Sequence, residues 1–263
     1  MTPFSTTHLI FLAVVVVFLA GSMWLMSKLP RKAQSAMFII CALLCAGGIF
    51  FRYGMGLSFE GGFTWETLAK EMLQVCNFNF ILVLLMLIPK FEFARQYAIF
   101  FSMFAASTTL FSLSSSWKNL EWYDIQIMNS LINHVLIVAL PLWMLAARRL
   151  KPRKEYVIKV TIGVFVYFTV VAIIVTALMK NGVLTDPTPH YSFIYDTYGI
   201  GVLEMLYELI PHPYFYLWPL LPVMFGFFCL LAWAFRKYEV KPFWESKWIK
   251  VDDWTDETPN ETE

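Results

Sequence analysis

The sequence has little charge. Asp, Glu, Lys and Arg make up only 15% of its 263 residues, whereas an ordinary soluble domain has about 25%. Hydrophobic residues reach 59% and aromatic residues 18%, a composition that disfavours a water-soluble domain. The formal net charge of +1 lacks the basic excess typical of nucleic-acid-binding proteins, so we predict no nucleic-acid partner. We therefore expect the function to lie in a membrane region or in its loops.

Residues that hold metals or form disulfides are also few, with four histidines and four cysteines. His8, His190 and His212 are scattered near the ends of apolar segments, and no HExxH or HxxxH motif occurs. We accordingly predict no metal site and no cofactor. The cysteines do not pair within predicted external loops, which argues against a disulfide framework. The last apolar segment has no lysine, which argues against a retinal Schiff base.

Long apolar runs are the main feature that is present. A bilayer core of about 30 Å is crossed by a helix of about 20 apolar residues. Such runs predict an all-α, polytopic membrane protein with seven transmembrane helices, at residues 8–27, 36–53, 70–89, 97–115, 125–147, 156–179 and 214–235. We expect one seven-helix domain over residues 1–237 and a polar cytoplasmic tail over 238–263, with a disordered end.

The distribution of basic residues predicts the orientation of these spans. Sixteen of the twenty lysines and arginines fall on one side of the membrane, which is therefore predicted to be cytoplasmic. The N-terminus is then outside and the C-terminus inside a multi-pass protein of the cell membrane, expected to be a bacterial plasma membrane. The external segments 54–69 and 180–213 are long, and helical spacing of apolar residues over 198–210 predicts a short interfacial helix.

Polar residues cluster in the external halves of the third, fourth and fifth spans. Such residues are costly in hydrocarbon and are candidates for function. At 1.5 Å per residue, Cys76 lies about 9 Å and His134 about 14 Å below the external ends of their spans. The two side chains are therefore predicted to be able to meet.

A thiol beside an imidazole can act as a nucleophile that forms a thioester, because the imidazole accepts the thiol proton. We predict Cys76 as the nucleophile and His134 as the base. Asn77, Gln126, Asn129 and Asn133 are predicted to orient the pair or to stabilise an oxyanion. Gln74, Tyr191, His212, Tyr214 and Tyr216 are predicted to bind substrate. A purely structural role stays open, since a cysteine can fill space and a histidine can pair with a neighbouring helix.

Four segments resemble a known family in order and spacing: Met72–Asn77, Ile125–Leu142, His190–Phe193 and Pro211–Tyr216. They are similar to those of the YwaF-like bacterial integral-membrane family, over about residues 36–236. That family is related to the eukaryotic transmembrane protein 164, an acyltransferase that moves a fatty acyl chain between phospholipids through a Cys and a His. The resemblance implies that Cys76 accepts the acyl chain and that His134 is the general base.

The sequence thus predicts a membrane-embedded lipid acyltransferase or acyl-ester hydrolase whose site opens to the external side. Its expected partners are a membrane phospholipid or a lysophospholipid. Two alternatives stay open. One is a non-catalytic carrier of lipids or small solutes that uses the same cavity. The other is a membrane assembly subunit in which the polar stripe of the fifth span, formed by Gln126, Asn129, Ser130, Asn133 and His134, binds a partner helix.

Overall fold

The architecture is helical throughout the residues that the computed structural model describes, which are 4–54, 73–111, 124–182, 192–195, 197 and 199–240. In chain order the helices are α1 (Thr6–Lys28), α2 (Arg31–Gly54), α3 (Val75–Leu85), α4 (Glu92–Tyr97), a π-helical turn (Ala98–Ser102), α5 (Met103–Phe111), α6 (Ile125–Ala146), α7 (Val157–Lys180), α8 (Gly201–Leu209) and α9 (Leu220–Ala234). Short 3-10 turns, Lys154–Tyr156 and Phe215–Leu217, precede α7 and α9. The described chain contains no strand, which confirms the all-α prediction.

Four helical stretches within the described ranges are long and apolar enough to cross a bilayer. They are Thr6–Lys28, Ile127–Ala146, Lys154–Lys180 and Phe215–Ala234. They fall on the first, fifth, sixth and last predicted spans, and a multi-pass helical membrane protein is confirmed. The predicted short helix over 198–210 is also confirmed, with the narrower bounds Gly201–Leu209.

Several helix ends differ from the predicted ones, because hydropathy marks only the apolar part of a helix. Helix α2 begins at Arg31 rather than 36, and α4 begins at Glu92 rather than 97. Both extensions carry charged side chains that remain helical beyond the apolar run. Helix α9 begins at Leu220 rather than 214, after a 3-10 turn. Residues 55–72, 112–123, 183–191 and the tail beyond 240 lie outside the described residues, and with them most of the predicted external loop 54–69.

Helix α6 lies at the centre of the bundle. It packs against α1, α2, α3 and α5, and most of its apolar stretch is buried. Helices α1 and α7 are peripheral, and apolar side chains such as Val17 and Ile173 are exposed on them. Apolar exposure of this extent would be unfavourable in water, but it matches the hydrocarbon of a bilayer.

Ser5 and His8 form hydrogen bonds at the start of α1. Ser5 caps α1 by accepting a hydrogen bond from the His8 amide, as N-cap serines commonly do. The buried His8 ring accepts from the Phe4 amide through Nδ1 and lies 2.9 Å from the Leu110 carbonyl through Nε2. The start of α1 is thereby tied to the end of α5.

Side chains on α4 form hydrogen bonds with the backbone of the connection that precedes α7. Arg95 donates to the Arg149 carbonyl, and Gln96 donates to the Lys151 carbonyl and accepts from the Arg153 amide. Burial lowers the pKa of the Arg95 guanidinium, and the ion pair with Glu92 at 3.0 Å partly opposes that effect. Both carbonyls lie beyond α6, which ends at Ala146, so these bonds attach the connection between α6 and α7 to α4.

A close approach of α2 to α6 at Gly48 gives the first testable prediction. A methyl group at Gly48 would lie 2.8 Å from Asn133 Cγ, and Asn133 is buried. Gly48→Ala is therefore expected to lower the free energy of unfolding by about 1–3 kcal/mol through overpacking. Thermal unfolding in detergent measures the change. The matched control is Gly47→Ala, since nothing lies within 4 Å of that Cβ position; equal stability of the two variants would contradict the prediction.

Candidate active site

The site begins at a break in the third predicted span. Gln74 is extended, with ψ of 129°, and α3 begins at the next residue. The Leu73 carbonyl accepts hydrogen bonds from the Tyr167 hydroxyl at 2.9 Å and from the Ser192 hydroxyl. In an uninterrupted helix that carbonyl would accept from the Asn77 amide instead. The predicted continuous helix over 70–89 is therefore wrong at Gln74, and Cys76 lies in the first turn of α3 rather than 9 Å inside a helix.

Cys76 and His134 are in direct contact. The distance from Cys76 Sγ to His134 Nε2 is 3.2 Å, and both residues are buried. His134 Nδ1 lies 2.7 Å from the Ser130 carbonyl oxygen. A carbonyl can only accept, so Nδ1 carries a proton, and in the neutral imidazole Nε2 then presents its lone pair to the thiol. The Ser130 carbonyl thus orients the imidazole to accept the thiol proton.

The first turn of α3 places amides beside the thiol. Val75, Cys76 and Asn77 form the first turn of this helix, and the N-cap residue Gln74 contributes no side-chain hydrogen bond to it. The Asn77 side chain donates to the Gln74 side-chain oxygen at 3.3 Å. Amides at a helix N-terminus favour negative charge, so this turn could stabilise a thiolate or an oxyanion.

The polar stripe of α6 lies partly along α2. Asn129 donates to the Gly48 carbonyl at 3.5 Å, and Asn133 donates to the Asn129 side-chain oxygen at 3.4 Å. These contacts hold both asparagines at the α2 interface, beside the turn that carries His134. The Gln126 side chain and all of Tyr191 lie outside the described residues.

Tyr214 and Tyr216 form hydrogen bonds with the segment 192–195. The Tyr214 amide donates to the Ile194 carbonyl at 2.9 Å, and the Tyr214 hydroxyl lies 2.6 Å from the Thr169 hydroxyl. The buried Tyr216 hydroxyl donates to the Phe193 carbonyl. His212 is exposed. Of these predicted substrate residues, only Tyr214 reaches the cavity described next.

An apolar chamber extends from Cys76 between α5, α7, α8 and α9. Its volume is about 250 Å³. The side chains that line it are mostly aromatic or aliphatic, and include Cys76, Phe101, Phe104, Ala105, Thr108, Thr109, Phe165, Phe168, Phe193, Leu203, Tyr214, Leu217, Trp218, Val223 and Met224. Both threonine hydroxyls donate to the Ala105 carbonyl, at 2.8 and 3.1 Å. Because the hydroxyls of Thr108, Thr109 and Tyr214 all have partners within the protein, the chamber suits an apolar ligand.

Sequence reasoning missed three contributors to this site. The Ser130 carbonyl orients His134, and the Tyr167 and Ser192 hydroxyls bind the Leu73 carbonyl. A backbone carbonyl leaves no signal in a sequence, and Tyr167 lies in an otherwise apolar span. Ser192 did have a signal, since it belongs to the His190–Phe193 segment on which the family resemblance depends.

These features define a multi-pass helical membrane protein with a buried Cys–His pair on the wall of an apolar chamber. The sequence model of the TMEM164 family matches residues 3–237. The chain therefore belongs to the TMEM164 family, which confirms the resemblance to transmembrane protein 164. Searches of curated proteins and of solved structures gave no match.

Proposed function

We propose that this protein transfers or hydrolyses fatty acyl chains of membrane lipids through a thioester on Cys76. The observation that carries the proposal is the 3.2 Å contact between Cys76 Sγ and His134 Nε2, with the ring proton fixed on Nδ1 by the Ser130 carbonyl. A thiol in that position can be deprotonated as it attacks. The adjoining apolar chamber supports a lipid substrate over a polar one.

In the first half-reaction, His134 Nε2 accepts the thiol proton and the sulfur attacks the ester carbonyl of a phospholipid. The positive end of the α3 dipole, where Cys76 lies, stabilises the tetrahedral oxyanion. Collapse of that intermediate breaks the ester C–O bond, and the imidazolium gives its proton to the departing lysophospholipid oxygen. The products are a Cys76 thioester and a lysophospholipid.

In the second half-reaction, the hydroxyl of an acceptor attacks the thioester while His134 takes its proton. The C–S bond breaks, and the proton returns to the sulfur. A lysophospholipid acceptor gives a new phospholipid, and water gives a free fatty acid. Asn77, Gln126, Asn129 and Asn133 are proposed to orient the pair, with Gln74, Tyr191, His212, Tyr214 and Tyr216 at the substrate side.

For the membrane arrangement we propose seven spans within residues 1–237, with the N-terminus outside and the basic turns and tail inside a bacterial cell membrane. The asymmetry of lysine and arginine supports this orientation. Single cysteines introduced at Lys118 and Lys154, in a background without Cys229, test it in intact cells. An impermeant maleimide is expected to label position 118 and not position 154, and the reverse labelling would overturn the orientation.

Lipid turnover tests the chemistry. Purified protein in nanodiscs is given a phospholipid with a deuterated acyl chain and a lysophospholipid acceptor, and the lipids are followed by mass spectrometry. Wild type is expected to move the label into the new phospholipid or into free fatty acid, and Cys76→Ala to move none. Cys229→Ala, which removes an exposed cysteine, is the matched control and should retain full turnover. Unchanged turnover in Cys76→Ala would contradict the proposal.

A lipid carrier is the second candidate, because the apolar chamber could hold a lipid without reacting with it. A carrier would move labelled lipid between leaflets with no covalent change. It would also tolerate Cys76→Ala. The same nanodisc protein, reconstituted into vesicles, separates the two functions by whether lipids change in location or in composition.

A further inference from the structure

We propose that the chamber binds a single acyl chain that enters sideways from the bilayer, and that Phe101 and Met224 form the floor that limits its length. This inference rests on the proposed function, since it assigns the carbonyl end of the chain to Cys76. It adds two specificity-determining residues and a route of access for the substrate.

The chamber has a definite axis. Its lining runs from Thr109 on α5 back to Phe101 in the preceding π-helical turn, and from Leu217 into α9 as far as Met224. At 1.5 Å per residue these stretches correspond to about 12 and 10 Å. Cys76 lies at the end where α3 begins and where Phe193 and Tyr214 also line the wall. Phe101 and Met224 therefore mark the opposite end, within the helical bundle.

The floor is closed and tightly packed. Phe101 is 3% exposed and Met224 4% exposed. The Phe101 ring packs edge-on against Phe168, another lining residue, with centroids 6.3 Å apart. A buried methionine is unbranched and adapts its shape to its neighbours. The side chain at 224 therefore limits how deeply an acyl chain can extend, and it can be shortened while the aromatic side chains of the chamber stay in place.

The mouth faces lipid rather than water. Phe165 on α7 and Trp218 before α9 meet edge to face at 5.8 Å, and both line the chamber. They are 36% and 43% exposed, and the neighbouring lining residue Val223 is 58% exposed. These three apolar side chains lie on helical stretches that are long and apolar enough to span a bilayer. A chain can therefore pass from the hydrocarbon into the chamber without crossing water.

Photo-crosslinking tests chain binding without requiring catalysis. Cys76→Ala protein in nanodiscs is given phosphatidylcholines that carry a diazirine either near the acyl carbonyl or near the methyl end, and crosslinked peptides are mapped by mass spectrometry. The probe near the carbonyl is expected to label the segments around Val75 and Tyr214. The probe near the methyl end is expected to label Phe101 or Met224. Labelling confined to outward-facing residues of α1 and α7, equal for both probes, would overturn the inference.

Length selection is tested in protein with an intact Cys76. Met224→Ala deepens the chamber, and Ala105→Leu narrows it midway. We expect the ratio of long-chain to short-chain thioester to rise roughly 10-fold in the first variant and to fall by a similar factor in the second, as one or two methylenes typically discriminate. Met144→Ala is the matched control, since Met144 is fully buried on α6 and does not line the chamber. The same ratio in all four proteins would overturn the role of the floor.

The two tests separate failure of the inference from failure of the proposed function. If no thioester forms on wild type but both probes label the chamber as expected, the acyl-chain site stands and the enzymatic proposal fails. If the thioester forms but the probes do not label the chamber, the enzymatic proposal stands and the chamber is not the acyl-chain site.

Discussion

His134→Ala is expected to slow acyl transfer by about 10²–10⁴-fold, because it removes the imidazole that contacts the Cys76 thiol and is placed to take its proton. The rate of thioester formation in a single turnover measures this step separately from acceptor attack. Folding must be checked alongside, since His134 is buried.

His8→Ala is the matched control for that variant. His8 is also buried and also lies against a backbone carbonyl through a ring nitrogen, but its contacts join α1 to α5. We expect His8→Ala to lower thermal stability while the folded fraction keeps its rate of thioester formation. Equal loss of rate per folded molecule in both variants would show that His134 acts through structure alone.

Loss of the hydroxyls that hold the Leu73 carbonyl has the second large expected effect. The double variant Tyr167→Phe, Ser192→Ala removes both hydroxyls that bind the Leu73 carbonyl, so the extended backbone at Gln74 is no longer held in place. The thiol and the first-turn amides would then shift relative to His134. A displacement of about 1 Å at a reacting centre can cost on the order of 10²-fold in rate. We expect kcat to fall by that order while KM changes little, since neither hydroxyl lines the chamber.

Two further variants separate positioning from general destabilisation. Tyr167→Phe alone leaves the Ser192 hydroxyl bonded to the Leu73 carbonyl and should keep most of the rate. Tyr195→Phe removes a hydroxyl from the same segment that lies 2.5 Å from the Thr176 hydroxyl on α7 rather than at the Leu73 carbonyl. If Tyr195→Phe lowers kcat as much as the double variant does, the two hydroxyls at Leu73 have no special positioning role.

Simple rules predicted much of the helical framework. The lengths of the apolar runs located α1, α6 and α7 to within a few residues. In hydrocarbon the backbone polar groups of a segment must form hydrogen bonds within that segment, so a long apolar run is helical. The same rule failed at Gln74. There the backbone is satisfied by side chains from other parts of the chain, Tyr167 and Ser192, and no local pattern encodes such a contact.

The candidate site was predicted in its central pair but not in its surroundings. Polar side chains in the external halves of two spans were enough to pair Cys76 with His134, which are in contact, although the depth assigned to Cys76 was wrong because the helix begins only at Val75. The sequence pattern could not foresee that Asn129 and Asn133 form hydrogen bonds at the α2 interface. It also could not foresee the chamber, whose walls combine residues from α3, α5, α7, α8 and α9. Such walls depend on how the helices pack. The sequence does not distinguish an apolar side chain that faces lipid from one that faces a cavity.

The most direct test of the central claim is intact-protein mass spectrometry after incubation with a phospholipid that carries a distinctive acyl chain. Wild type is expected to gain the mass of that acyl group and to lose it on treatment with hydroxylamine, and Cys76→Ala is expected to gain nothing. Absence of any adduct on wild type, together with unchanged lipid composition over long incubation, would contradict the thioester mechanism. A hydroxylamine-labile adduct that persists in Cys76→Ala would place the chemistry on a different cysteine.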